Sequence, residues 1–187
     1  HVIIESSGFS EGGEQGRAMQ RRLDEIARES GMRIIGPNCL GVLDTSSKFC
    51  CFYGVTKDDV ETFCRNTGSI SFIIQSGGIV VIILESFSMD VVKANKIVSI
   101  GNKSDIDEAD VLEYFQKDDS TEVIGMYLEN IKDGRKFIEA ARKVKKPILA
   151  FKVGRTGEGA RAAMSHTAGM ANNDSIFDRA CRQAGII

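Results

Sequence analysis

An α/β chain built on a doubly wound parallel sheet is predicted by three features of the sequence. Four apolar runs, Ile70–Ile74, Lys96–Ile100, Val123–Leu128 and Pro147–Phe151, have centres about 25 residues apart, room for a crossover helix between parallel strands. Helical stretches fill the gaps and follow the last run: Gly78–Ser88, Asp107–Lys117, Asp133–Val144 and Asp174–Ala184. Three of these four open on Asp, an N-cap whose charge also suits the helix dipole. In the last, Phe177, Ala180, Cys181 and Ala184 recur at i, i+3, i+4 and i+7, the stripe of a helix with one buried face. Strict alternation of strand and helix gives a flavodoxin-like sheet over 67–187.

The first 66 residues read differently. A strand over Val2–Ser6 precedes a helix from Glu14 to Ser30, in which Met19, Leu23, Ile26 and Ala27 share a face and Gly31 ends the run. A second short strand, Met32–Ile35, runs into the turn signal Gly36-Pro37-Asn38-Cys39. One βαβ unit cannot bury both faces of its own sheet, so it implies a larger domain. Residues 40–67 are expected to be irregular, with a boundary at Asn66-Thr67-Gly68. The chain opens without methionine inside a strand and closes on Ala184-Gly185-Ile186-Ile187, a helix-ending glycine before the start of another strand. The expectation is a piece of a longer polypeptide.

Composition narrows the function classes. With 42% hydrophobic residues the chain can form a core, and a net charge of −2 with mixed signs argues against nucleic acid or an anionic membrane as partner. No apolar run approaches the roughly 18 residues of a membrane span. Cys39, Cys50, Cys51, Cys64 and Cys181 are odd in number and lack paired CxxC spacing, which disfavours both a disulfide framework and a zinc site. No metal ligand is assigned. A reducing, cytoplasmic setting is expected.

In an open parallel sheet, ligands gather beyond the carboxyl ends of the strands. The strand at Ile70–Ile74 ends in Gln75-Ser76-Gly77-Gly78 and passes directly into a helix. That leaves backbone N–H groups of the first turn, and the positive end of the dipole, available to an anion at Ser76, Gly77 and Gly78. Short glycine turns also simply join strands to helices. The third strand ends in Leu128-Glu129-Asn130, which sets the Glu129 carboxylate at the same edge. The fourth leads to a Gly-rich stretch and then to Met164-Ser165-His166-Thr167-Ala168-Gly169, with the only histidine inside the chain. A surface or capping role is the bland alternative for His166. Beside Glu129, however, an imidazole would gain a fixed tautomer and a stabilised cationic or phosphorylated ring.

These motifs together resemble those of the nucleoside-diphosphate-forming acyl-CoA synthetases, relatives of the succinyl-CoA synthetase α subunit. The resemblance spans nearly the whole chain. It rests on Gly8-Phe9-Ser10-Glu11, Ile35-Gly36-Pro37-Asn38-Cys39-Leu40-Gly41-Val42, Gln75-Ser76-Gly77-Gly78, Ser99 to Glu108, Tyr127-Leu128-Glu129, Lys152-Val153-Gly154-Arg155 and Ser165-His166-Thr167. The Gly101-Asn102-Lys103-Ser104-Asp105 and Ser-His-Thr versions look closest to the ADP-forming acetate–CoA ligases.

The resemblance implies a three-stage, reversible reaction: acyl-CoA and phosphate give acyl phosphate and CoA, a histidine takes the phosphoryl group, and a nucleoside diphosphate receives it. It assigns the phosphorylated histidine to His166, its supporting carboxylate to Glu129, the phosphate-receiving helix terminus to Ser76, Gly77 and Gly78, and a CoA border to Pro37, Asn38 and Cys39. Coenzyme A is then a substrate. ATP or ADP with Mg2+ belongs to an ATP-grasp part, a separate subunit or a fused domain, and an oligomer is expected. The opening βαβ unit resembles the C-terminal part of the family's Rossmann-like CoA-binding domain. Two departures, Ala168-Gly169 where Gly-Ala is usual and Gly77-Gly78 where Gly-Ala is usual, keep small residues.

Two rivals remain. A non-catalytic CoA-sensing domain of a protein acetyltransferase could carry a dead copy of this fold, but such a copy should lose its histidine. A flavodoxin or receiver domain would need a hydroxyl-rich FMN loop or an acidic cluster where this chain has Gln75-Ser76.

Overall fold

The computed structural model describes residues 1–65, 67–89, 91–152 and 181–187. At the N-terminus, β1 (Val2–Ile3) and β2 (Ile34–Ile35) pair in parallel, joined by a 3-10 turn at Ser10–Gly12 and by α1 (Gly13–Ser30). Gly31 takes the left-handed conformation and returns its N–H to the Ala27 carbonyl, which stops α1 where the sequence indicates. Both strands are shorter than the apolar runs that announce them.

The main sheet has six strands in the order β4-β3-β6-β5-β7-β8. Its parallel part is β5 (Ile70–Ile74), β6 (Ala94–Ser99), β7 (Val123–Leu128) and β8 (Ile148–Lys152). Beyond β8 the last residues begin a further parallel pairing: the Ile187 N–H donates to the Ile148 carbonyl at 3.0 Å and Ile187 accepts from Ala150 at 2.8 Å. Counted from β5, the parallel order is 2-1-3-4-5, that of a flavodoxin-like fold.

Helices cover both faces. On one side α4 (Glu108–Lys117) and α5 (Gly134–Lys143) bury Leu112, Phe115 and Phe137 against Ile73, Val98 and Ile124. On the other, α2 (Lys57–Phe63) and α3 (Gly77–Ser88) bury Phe63, Val80 and Phe87 against Leu43, Ile74 and Ile97. Asp107 and Asp133 act as N-caps, each accepting from the amides two and three residues on, so α4 and α5 begin one residue after the predicted aspartates. The predicted helix from Asp174 lies mostly outside the described residues, as do the His166 loop and the Gly154–Gly159 stretch; residues 181–184 are helical.

Residues 40–67 are not irregular, and this corrects the sequence reading. β3 (Gly41–Asp44) and β4 (Phe49–Phe52) form an antiparallel hairpin, and β3 pairs antiparallel with β6. The parallel sheet therefore gains a two-stranded antiparallel edge. Four residues give too few alternations to show a period of two, and the adjacent Cys50 and Cys51 blur what there is. α2 was missed as well, although Thr56 and Asp59, which make a reciprocal capping box, were a signal for its start.

Candidate functional site

The chain leaves β5 toward α3 on one face and leaves β7 toward α5 on the other. Adjacent parallel strands whose connections diverge in this way open a crevice at their carboxyl ends, the topological switch point. Ser76 lies there as the N-cap of α3, with extended dihedrals (φ −88°, ψ 126°) and no capping bond from its hydroxyl. The first-turn amides of α3 have no acceptor within the helix. Gly77 and Gly78 have ordinary negative φ, so neither position needs glycine for its backbone. Among the described residues, a Cβ on Gly78 would meet the Ser76 Oγ alone, at 4.0 Å, and one on Gly77 would sit 3.5 Å from Leu40. Among the described residues, none fills the space beside these two glycines.

Glu129 follows β7 across the crevice. Its backbone N–H donates to the Gln75 Oε1 at 3.0 Å, and the Asn130 N–H donates to the same oxygen at 3.3 Å. Burial pushes the Tyr127 phenol up, and the neighbouring Glu129 carboxylate adds to that shift. Tyr127 also stacks on Phe151 of β8, with ring centroids 5.5 Å apart. β8 ends at Lys152, in register with Leu128. The segment that carries His166 thus departs from the same sheet edge, and His166 itself lies outside the described residues.

The turn at Pro37, Asn38 and Cys39 reaches this edge from the N-terminal unit. Leu40 donates its N–H to the Ser99 Oγ at 3.0 Å, and the Pro37 carbonyl accepts from Asn102 at 2.9 Å. Gly101 packs so closely here that a Cβ would lie 2.3 Å from the Pro37 oxygen, and its φ is +53°; only glycine fits. Pro37 and Cys39 are buried, and Asn38 is half-buried. The Cys39 thiol donates to the Ile4 carbonyl at 3.3 Å, and burial pushes it up to about 11, so it stays protonated.

Asn102 joins the motifs into one network. Its amide donates to Glu11 at 2.6 Å and to Gln20 at 3.0 Å, and its oxygen accepts from Asn38 at 3.2 Å. Burial alone would raise the Glu11 carboxyl, but the bonds from Asn102 and from the Gly8 and Phe9 amides outweigh it and hold the group below its usual range.

The structure adds residues that the sequence reading passed over. Lys103, 2% exposed, pairs with the equally buried Glu108 at 3.0 Å and donates to the Asn130 carbonyl at 2.8 Å. Gln75 is the other. Both lie in motifs quoted for the resemblance. For Gln75 the available signal was a polar residue immediately past the end of a central apolar strand, where main-chain pairing must stop.

Among the described residues, no three His, Cys, Asp or Glu side chains are arranged to hold a metal, and no helix is long and apolar enough to cross a membrane.

The model of the succinyl-CoA ligase like flavodoxin domain matches residues 67–187. The chain belongs to that family. The match begins at residue 67, whereas the sheet also takes in β3 and β4 from the residues before it. Over its whole length the chain is 43% identical to an acetate–CoA ligase (ADP-forming) II of Archaeoglobus fulgidus and 42% identical to the α subunit of an acetate–CoA ligase (ADP-forming) I of Pyrococcus furiosus. It spans 27% and 39% of those two proteins. A solved acetyl-coenzyme A synthetase 1 of Candidatus Korarchaeum cryptofilum, in complex with phosphate and ADP, superposes with a TM-score of 0.87 at 36% identity, covering 99% of this chain and 39% of that one.

Proposed function

We propose that this chain is the phosphoryl-carrying part of an ADP-forming acyl-CoA synthetase. The enzyme would interconvert acyl-CoA, ADP and phosphate with carboxylic acid, CoA and ATP. In the first step a phosphate oxygen attacks the thioester carbonyl, the C–S bond breaks, and CoA leaves as the thiol. A ring nitrogen of His166 then takes the phosphoryl group and releases the carboxylate. In the last step the ADP β-phosphate oxygen receives that group and the imidazole is regenerated.

The observation that carries this reading is the switch point, where the N-terminus of α3 and the Glu129 turn are tied together at the edge from which the His166 segment departs. Ser76, Gly77 and Gly78 would hold the phosphoryl oxygens with amides that need no reorganisation. Glu129 would accept the imidazole N–H, fixing the tautomer and balancing the ring's positive charge during transfer. Of the residues assigned to the CoA border, Asn38 alone has a side chain exposed enough to touch the ligand, because Pro37 and Cys39 are buried. The nucleotide, with its Mg2+, belongs to an ATP-grasp subunit or fused domain, and the remainder of the CoA site to a domain that the opening βαβ unit completes. The cytoplasm is the setting we assign, and an oligomer the working form.

The test is the reaction. The whole enzyme, supplied with acetyl-CoA, ADP and phosphate, is expected to release ATP and free thiol in equal amounts. Thiol release without ATP overturns the phosphoryl-carrier reading.

Two variants refine the roles. Glu129→Gln removes a charge partner worth on the order of 1–3 kcal/mol to the transition state, so phosphorylation by ATP should slow by about one to two decades. A wild-type rate in a rapid-quench assay leaves Glu129 a structural residue. Gly78→Val should fold normally, given its ordinary φ and the room that the described residues leave at that position. Its side chain should crowd the anion and lower steady-state phosphohistidine by about tenfold or more. Full phosphohistidine in a folded Gly78→Val enzyme leaves the glycine only its turn.

A further inference from the structure

We infer that Gln75 is a positioning residue, whose side-chain oxygen holds the turn after β7, and with it Glu129, in register with the N-terminus of α3. The inference rests on the proposed role of Glu129.

The ladder between β5 and β7 shows why a side chain is needed. The Gln75 N–H still donates to the Tyr127 carbonyl at 3.0 Å, as the parallel register requires. The next rung would run from the Glu129 N–H to the main-chain carbonyl of Gln75. By then the chain has left β5 for Ser76, the N-cap of α3. The side-chain Oε1 of Gln75 stands in for that carbonyl, accepting from Glu129 at 3.0 Å and from Asn130 at 3.3 Å. Gln75 is 7% exposed, so both bonds form away from bulk solvent.

The second anchor is on the far side of the turn. The Asn130 carbonyl accepts from Lys103 at 2.8 Å, and the Lys132 N–H donates to Glu108 at 3.4 Å. The turn is therefore gripped from β5 on one side and from the β6–α4 connection on the other. Only the β5 grip comes from the residue directly before Ser76. Through Gln75, the helix end assigned to the phosphoryl oxygens and the carboxylate assigned to the imidazole share one rigid link. Glutamine also suits the place chemically. A glutamate could accept from the same two amides, but it would set a second negative charge beside Glu129 and an incoming phosphoryl group.

The test uses the whole enzyme with its nucleotide-binding part. Gln75→Met keeps the volume and removes the acceptor. Gln75→Asn keeps an amide but withdraws it by one methylene, and it carries the same test if the methionine variant fails to fold. Hydrogen exchange at the Glu129 and Asn130 amides is expected to speed up by about tenfold or more, reporting loss of the grip. The kcat for phosphorylation of His166 by ATP should fall by about tenfold to a hundredfold with KM for ATP unchanged, because the nucleotide binds elsewhere. In a Glu129→Gln background the same change should cost no more than about twofold, since its effect runs through Glu129.

Faster exchange with an undiminished kcat overturns the positioning role and leaves the function reading in place. An undiminished penalty in the Glu129→Gln background also overturns it, as that marks a general loosening. A wild-type enzyme that puts no label on His166 overturns both, and it shows itself before any variant is compared.

Discussion

His166→Ala is expected to abolish transfer of label from γ-labelled ATP to the enzyme, a loss of at least about a thousandfold, with the circular dichroism spectrum unchanged. A phosphoryl carrier needs a nucleophilic nitrogen that is neutral near pH 7, and imidazole, with an ordinary pKa of about 6.5, is the side chain that meets this without help. His166 is the only histidine after the first residue, so no second imidazole can take over within the chain. The bond in the wild-type enzyme should be acid-labile and stable to alkali, as a phosphorus–nitrogen bond to imidazole is and a phosphate ester is not. Label that persists in His166→Ala would place the carrier elsewhere. A wild-type enzyme that takes no label would favour the CoA-sensing reading instead.

The sequence displayed the ingredients of this site better than their connections. Glycines, a serine and a carboxylate at strand ends are local features, and the parallel alternation of strands and helices places them on one edge. Ser76, Gly77, Gly78 and Glu129 could be named from that rule alone. Gln75 could not, because its role depends on the main chain departing from a ladder one residue before the neighbouring strand does. Asn102 was hidden for a similar reason: it bridges Glu11, Gln20 and Asn38, which come from three separate stretches of the chain. The turn at Pro37–Cys39 shows the reverse error of emphasis. Its motif reads as a ligand border, yet two of its three side chains are buried, and the Cys39 thiol bonds the Ile4 carbonyl just past β1.

The fold followed the same division. Every parallel strand of the main sheet sits within a residue or two of its apolar run, since burial on both faces writes a continuous hydrophobic signal. The antiparallel edge was lost between two stronger patterns. β4 reads Phe49-Cys50-Cys51-Phe52, too short an apolar run to tell a strand from a buried turn, and the hairpin owes its place to the pairing of β3 with β6 across a long separation. Secondary structure imposed by tertiary pairing leaves little trace in a window of four residues.

The buried pair of Lys103 and Glu108 carries the largest expected effect on stability. Five residues separate them, neither three nor four, so helical spacing does not announce the contact. Lys103 is 2% exposed and Glu108 1% exposed. Burial pulls the lysine below its usual range, and the charge and hydrogen bond of Glu108 oppose that pull. Lys103→Met keeps most of the side-chain volume but strands the Glu108 carboxylate in the interior and frees the Asn130 carbonyl. Breaking one half of such a pair costs about 3–5 kcal/mol, whereas replacing both halves with apolar groups is often nearly neutral. Lys103→Met should therefore lower the Tm by on the order of 10 °C. Lys103→Met combined with Glu108→Leu should recover more than half of that loss, while phosphorylation of His166 stays slow because the Asn130 turn has lost its second anchor. A single variant as stable as the wild type by urea denaturation would mean that water or another cation reaches Glu108. Additive losses in the double variant would mean that the two side chains contribute through packing rather than through each other.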